Sequence, residues 1–266
     1  MYVDAHTHLN DEKLFDNWQD HIKDFENIWW KMIINAWSDD GFNKRWIQIA
    51  KEYEWDLKIK ATVWFHPFEI ISWKIDEDNL EEKISGLKKE YLENKEYIVA
   101  IWEAGIDINY KWNLKIEMQK RLFKRQCKLA KELDLPIVIH SRDDFESTIE
   151  ILKKYKDLKI YFHCWGYGPK EVKIVQKMFG NVRIWFCANI SYPKAQNIRD
   201  SLLACDMKNI LLETDAPYLP PQEFRWKTNY PVYVSYTYDF VSNLLNIKKE
   251  DIENKIFTNF HDLYKK

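Results

Sequence analysis

The chain has 266 residues, enough for one large domain or two small ones. It can bury roughly 70–75% of its unfolded surface, so it needs no disulfide or metal merely to fold. A composition of 46% hydrophobic and 31% charged residues excludes a disordered or low-complexity protein. Forty basic against forty-two acidic side chains exclude a generic nucleic-acid coat but still allow a local basic patch around a cleft. Thirteen Trp stand beside only six Gly, whereas glycine usage of about 7% would give roughly nineteen.

The opening MYVDAHTHLNDEKLF lacks the basic start, apolar core and small-residue cleavage site of a signal peptide. No run approaches the roughly 18 apolar residues of a membrane span. Cys127, Cys164, Cys187 and Cys205 are scattered, without a CxxC pair, so neither a disulfide framework nor a zinc knuckle is expected. The expected compartment is the cytoplasm, with reduced thiols, no membrane association and no obligate protein partner evident.

No Gly-, Ser- or Pro-rich linker divides the chain, which predicts a single domain over residues 1–266. Short apolar runs recur at Tyr2–His6, Met32–Ala36, Lys58–Phe65, Tyr97–Glu103, Pro136–His140, Leu158–His163, Val182–Phe186 and Asn209–Thr214. Most are rich in Ile or Val, as buried parallel strands are. Between them lie amphipathic stretches such as Lys115–Asp134, where Ile116, Leu122, Phe123, Leu129, Ala130 and Leu133 mark one face. Eight strands alternating with helices over about 250 residues predict an α/β fold, the TIM (β/α)8 barrel. An open doubly wound sheet is the competitor, but no GxGxxG follows the first strand.

Metal-type residues fall at the C-terminal ends of these runs, where TIM barrels build active sites. His6 and His8 close the first, His66 follows the third, Glu103 ends the fourth, His140 the fifth and His163 the sixth; Asp215 follows the eighth. His6 and His8, two apart on an extended chain, point to the same side and can bind one ion. Imidazole with carboxylate suits zinc, with manganese or magnesium as alternatives. Four His, one Glu and one Asp exceed a single tetrahedral site, which allows two ions bridged by a carboxylate. His21 lies in a charged helical stretch and His261 near the C-terminus inside NFHDLY; both read as solvated or capping residues and are left out of the site.

At these residues the chain resembles the TatD family of metal-dependent hydrolases, amidohydrolase-like TIM barrels. The resemblance runs from VDAHTHL (Val3–Leu9) through FHPFE, EAGID, PIVIHSRDD and YFHC to LLETDAPYLPP and KTNYP. It implies two divalent ions held by His6, His8, Glu103, His140, His163 and Asp215, with Glu103 the bridge and Asp215 the group that orients or deprotonates the attacking water. It also places His66, Arg142 and one of Arg225 or Lys227 near a substrate phosphate. Ala216–Pro231, with four prolines and a basic pair, reads as a stiff rim loop over the site or else a plain connector. The implied activity is that of a deoxyribonuclease or phosphodiesterase on DNA or another phosphodiester. The alternative is an esterase or amidohydrolase, such as an aminoacyl-tRNA deacylase. Arg142 has a plainer reading too, as the first residue of a helix paired with Asp143 or Asp144.

The chain departs from the family by carrying Trp where relatives typically carry Gly. NAWSD, VWFHP, AIWEAG and RWKTN look like NAGSD, VGFHP, AIGEAG and RGKTN, placing Trp37, Trp64, Trp102 and Trp226 at glycine positions; Trp30, Trp112 and Trp185 look like further cases. Six Gly plus thirteen Trp make nineteen, the ordinary glycine count. The expectation is a UGA codon that its own lineage reads as glycine, so these indoles are given no functional role; the alternative is a genuinely Trp-rich variant.

Overall fold

The structure is a computed structural model that describes residues 2–28, 30–35, 47, 49–52, 58–109 and 115–264. Trp37 and Trp112 lie outside the described residues. Each expected apolar run becomes a strand: β1 (Tyr2–Thr7), β2 (Trp30–Asn35), β3 (Lys58–Val63), β4 (Ile98–Asp107), β5 (Ile137–Arg142), β6 (Ile160–Phe162), β7 (Val182–Phe186) and β8 (Ile210–Leu212). They form one parallel eight-stranded sheet in sequence order. The segment after β8 returns to β1 through a parallel bridge, Thr7 to Ala216. There the His8 N–H donates to the Ala216 carbonyl at 2.7 Å and the Asp215 N–H to the His6 carbonyl at 2.9 Å. The fold is thus a nearly closed TIM barrel in a single domain.

The strands are apolar on both faces because one face fills the barrel and the other meets the helices. Ile137, Val138, Ile139, Ile184 and Leu211 are fully buried. The helix Ile116–Leu133 lays Leu122, Phe123, Leu129 and Ala130 against the sheet and turns its charged side outward. No helix among the described residues is long and apolar enough to cross a membrane.

Two strands differ from expectation in ways that shape the site. β4 does not end at Glu103 but continues to Asp107. Its pairing with β5 slips between Ile101 and Ala104, and Glu103 sits in that irregularity at φ 41°. β5 likewise runs past His140 to Arg142, so Arg142 ends a strand and does not begin a helix. Gly105 lies opposite His140, where a Cβ would come within 1.8 Å of the His140 carbonyl oxygen. Only glycine lets the two strands approach this closely.

Candidate active site

The strand ends bring His6, His8, Glu103, His140, His163 and Asp215 into one cluster, buried except for the half-buried His140. It lies at the base of a cleft of about 720 Å³ whose wall includes His66, Asp107, Arg142 and Tyr218. The two carboxylates are set in strained backbone, Glu103 at φ 41° and Asp215 at φ 57°. Left-handed geometry at a non-glycine residue costs of order 1–3 kcal/mol and is retained chiefly at functional sites.

The donor atoms converge. His6 Nε2 lies 2.9 Å from His8 Nε2 and 3.0 Å from both Glu103 Oε1 and Asp215 Oδ1. His8 Nε2 lies 3.2 Å from Asp215 Oδ1. On the other side of Glu103, His140 Nδ1 is 3.1 Å from His163 Nε2, and these three residues form a second donor group. Ligands bonded to one ion at about 2.0–2.2 Å stand roughly 3.0–3.4 Å apart at adjacent positions, which is the spacing found here. Glu103 Oε1 is buried and in no hydrogen bond although His6 Nε2 is 3.0 Å away. Such atoms aim at a shared point, not at each other, and the residues present fit divalent ions.

The charge balance supports the same arrangement. Burial works against charge on Glu103 and Asp215, yet the surrounding imidazoles outweigh it and hold both carboxyls well below the usual range. Burial also disfavours a charged His6, but Glu103 and Asp215 reverse this and raise its pKa well above the ordinary value. His163 and His66 are pushed down to about 3, chiefly by burial and also by neighbouring imidazoles, so both are neutral at pH 7.

The second nitrogen of each ring separates ligands from other roles. His66 caps the helix Pro67–Ile71, its Nδ1 accepting the Phe68 N–H at 3.0 Å. Its proton is therefore on Nε2, which faces Glu103 Oε2 at 4.0 Å and is a donor toward the cleft. His140 has the opposite arrangement. Its Nε2 meets Asp107 Oδ2 at 3.0 Å, and the carboxylate draws the proton to that side, leaving the Nδ1 lone pair toward His163 and Glu103. Asp107 is in turn fixed by Gln119: its N–H donates to Gln119 Oε1 at 2.9 Å, and Gln119 Nε2 donates to its carbonyl at 3.1 Å.

Asp107 and Gln119 are site residues the sequence reading missed. The signal for Asp107 was its place four residues beyond Glu103 in EAGID, on the same face of a strand had β4 been drawn longer. Gln119 gave none, being one polar residue on a helix. Arg142 lines the cleft, exposed and without an ion pair among the described residues. Arg225 does not line it. Its guanidinium packs 4.1 Å over the Tyr192 ring and bonds the Tyr192 hydroxyl at 3.1 Å. Lys227 also lies off the cleft wall. The rim segment after Asp215 is tied down by Asn229, whose Nδ2 donates to the Thr214 and Tyr218 carbonyls at 2.9 and 2.7 Å.

Comparison with known proteins agrees with this geometry. The family described as TatD related DNase matches residues 3–265. An uncharacterized metal-dependent hydrolase of Mycoplasma genitalium is 30% identical, the alignment covering 99% of this chain and 98% of that protein. One from Bacillus subtilis is 29% identical over 100% and 99%. A human 3'-5' RNA nuclease is 36% identical over 127 residues, 47% of this chain and 17% of its own length. In fold, the chain superposes on a TatD homolog from Escherichia coli with a TM-score of 0.88, at 22% identity, covering 99% of this chain and 97% of that one. Matched along its whole described length, with its carboxylates and imidazoles gathered at the barrel mouth, the chain belongs to the TatD family of metal-dependent hydrolases.

Proposed function

We propose that this hydrolase cleaves phosphodiester bonds in nucleic acid, acting as a deoxyribonuclease in the cytoplasm. Two divalent ions (zinc, manganese or magnesium) would be held by His6, His8, Glu103, His140, His163 and Asp215. The observation that carries the reading is Glu103, a buried carboxylate shared by two donor groups, His6–His8–Glu103 and Glu103–His140–His163. Two bound ions lower the pKa of a water between them and clamp the attacking and leaving oxygens of a phosphodiester.

The chain's own residues supply the rest. Asp215, held ionised by His6 and His8, orients the attacking water and accepts its proton. His66 is neutral, with its Nε2–H directed into the cleft, and donates to a phosphate oxygen. Arg142, exposed on the cleft wall without an ion pair, meets the phosphate with a forked donor set. The human RNA nuclease relative and the family's description as a DNase support a nucleic-acid substrate.

The test offers the purified protein single-stranded DNA, D-aminoacyl-tRNA and small esters, each with and without chelator. Mononucleotide release that chelator abolishes and added metal restores is the expected result. Deacylation without DNA cleavage would replace the phosphodiester reading with an ester one.

A further inference from the structure

The rim beside the cleft carries a surface that the metal cluster does not explain. In Ala216–Tyr236, the segment after Asp215, Glu223 is the only acid, beside Arg225, Lys227 and five Tyr and Phe residues. Phe224 and Tyr233 stack at 4.3 Å and 11°, and Tyr236 meets both rings in T-shaped geometry at 5.0 and 5.7 Å. Tyr236 is 38% exposed, and Phe224 and Tyr233 are half-buried. Exposed aromatic groups of this kind mark interaction sites more often than plain surface. Trp226 is left out of this surface because its position reads as glycine.

The surface is continuous with the cleft. Asn189, Tyr218 and Leu219 line the cleft wall. Tyr192 joins them to Arg225: its N–H reaches the Asn189 carbonyl at 3.0 Å, its hydroxyl donates to the Pro220 carbonyl at 2.8 Å, and its ring lies under the Arg225 guanidinium. Tyr218, 41% exposed, is fixed by its hydroxyl, which donates to Asp11 Oδ2 at 2.7 Å. The cations here are uncommitted. Among the described residues Lys13, Arg225 and Lys227 have no carboxylate partner and rest on the rings of Tyr218, Tyr192 and Phe224. On the helix Ile116–Leu133, by contrast, Arg121 and Arg125 pair with Glu77 and Glu81.

Rings for base faces together with unpaired Lys and Arg for phosphates are what a nucleic-acid single strand requires. A duplex hides its base faces, and a small ester has no second base or phosphate to reach this far. Resting on the phosphodiester reading above, we infer that the substrate is a single-stranded polynucleotide whose uncleaved part lies along this rim. Its bases stack on Tyr218 and on the Phe224–Tyr233–Tyr236 group, and Arg225 and Lys227 hold phosphates beyond the one being cleaved.

Fluorescence anisotropy of the metal-free protein, where cleavage does not intervene, tests this with a thymidine dinucleotide and with a DNA strand of about eight nucleotides, single or in a duplex. Two stacked bases at about 5-fold each should make the long single strand bind at least about 25-fold more tightly than the dinucleotide, and the duplex should gain nothing comparable. Tyr236→Ala should remove about 5-fold or more of that gain. Arg225→Gln should make the fall of log affinity with log salt shallower by about 0.7, the loss of one single-strand phosphate contact. A role confined to holding the rim in shape would leave that slope unmoved. The length comparison needs no variant and so does not depend on any variant's folding. Equal affinity for long and short strands, a duplex that binds as tightly as the single strand, or an unchanged slope in R225Q overturns the inference. DNA cleavage with the same KM for dinucleotide and long strand overturns it too, and leaves the phosphodiester reading standing. Tight binding of the long strand without cleavage of any phosphodiester by the metal-loaded protein would instead refute that reading and leave the rim as a single-strand-binding surface.

Discussion

Asp107→Asn tests how a residue that need not touch substrate or metal controls the site. The Asp107 side chain is almost fully buried. Burial raises its pKa, but the hydrogen bond and charge of His140, the Asn109 N–H and the nearby His66 together outweigh that and keep the carboxylate ionised. Both oxygens then accept: Oδ2 faces His140 Nε2 at 3.0 Å, and Oδ1 takes the Asn109 N–H at 2.8 Å. Asparagine has the same shape but one acceptor. If its oxygen serves His140, its NH₂ opposes the Asn109 N–H, and the lost backbone bond costs about 1–3 kcal/mol of stability. If its oxygen serves Asn109, its NH₂ donates to His140 Nε2 and drives the imidazole proton to Nδ1, the atom facing His163. That orientation lowers metal affinity by about 10–100-fold, or about 1.4–2.8 kcal/mol. Calorimetric metal binding and urea unfolding of the metal-free protein together register either outcome, with His140→Ala marking full loss of that ion. D107N with both metal affinities and the unfolding midpoint unchanged would refute the reasoning.

Gly105→Ala should cost more than about 3 kcal/mol, the upper end of ordinary overpacking, because its Cβ would sit 1.8 Å from the His140 carbonyl oxygen, which is backbone; a soluble variant with an unchanged urea midpoint contradicts this. Arg142→Ala should raise KM several-fold on a DNA substrate with little change in kcat, since Arg142 lies on the cleft wall and outside the donor groups; a fall in kcat alone contradicts that role. Glu213 is buried and its pKa is pushed up to about 8, first by burial and further by Asp215, from an ordinary 4.5. Between about pH 4.5 and 8 the unfolded chain has released this proton and the folded one keeps it, so its contribution to stability falls as pH rises. The buried His66 and His163, pushed down to about 3, work in the opposite direction up to about 6.5, so the difference between variants is the informative measure. The stability of Glu213→Gln relative to the unsubstituted metal-free protein should grow across that window; a constant difference counts against the assignment.

The barrel was legible because a parallel strand buried on both faces must be an unbroken apolar run, and eight such runs spaced by helical periods admit few folds. The gathering of these side chains was legible because histidines and acids near the ends of such runs have one shared rim on which to meet. What escaped was local to β4. Its bulge leaves no periodic trace, so Glu103 was read as a strand end although the strand runs on to Asp107. Arg225 illustrates a different limit. Its charge and loop position suited a phosphate contact, but an adjacent tyrosine ring fixes it away from the cleft, and that pairing spans 33 residues of sequence.

The histidines show most clearly where sequence stops and structure begins. His66, just beyond β3, and His140, within β5, both stand near the C-terminal ends of strands, and by residue type each is an equal candidate ligand. Their roles divide on what meets the nitrogen turned away from the cluster. At His66 a backbone N–H from its own helix makes the ring a donor toward the cleft. At His140 a carboxylate four residues beyond Glu103 leaves the Nδ1 lone pair facing the cluster. The carboxylate partner comes from β4, the strand that also supplies Glu103. One strand thus carries the carboxylate that both donor groups share and the support for one of them, so Asp107→Asn should weaken metal binding on the His140 side of Glu103 and leave the His6 side unchanged.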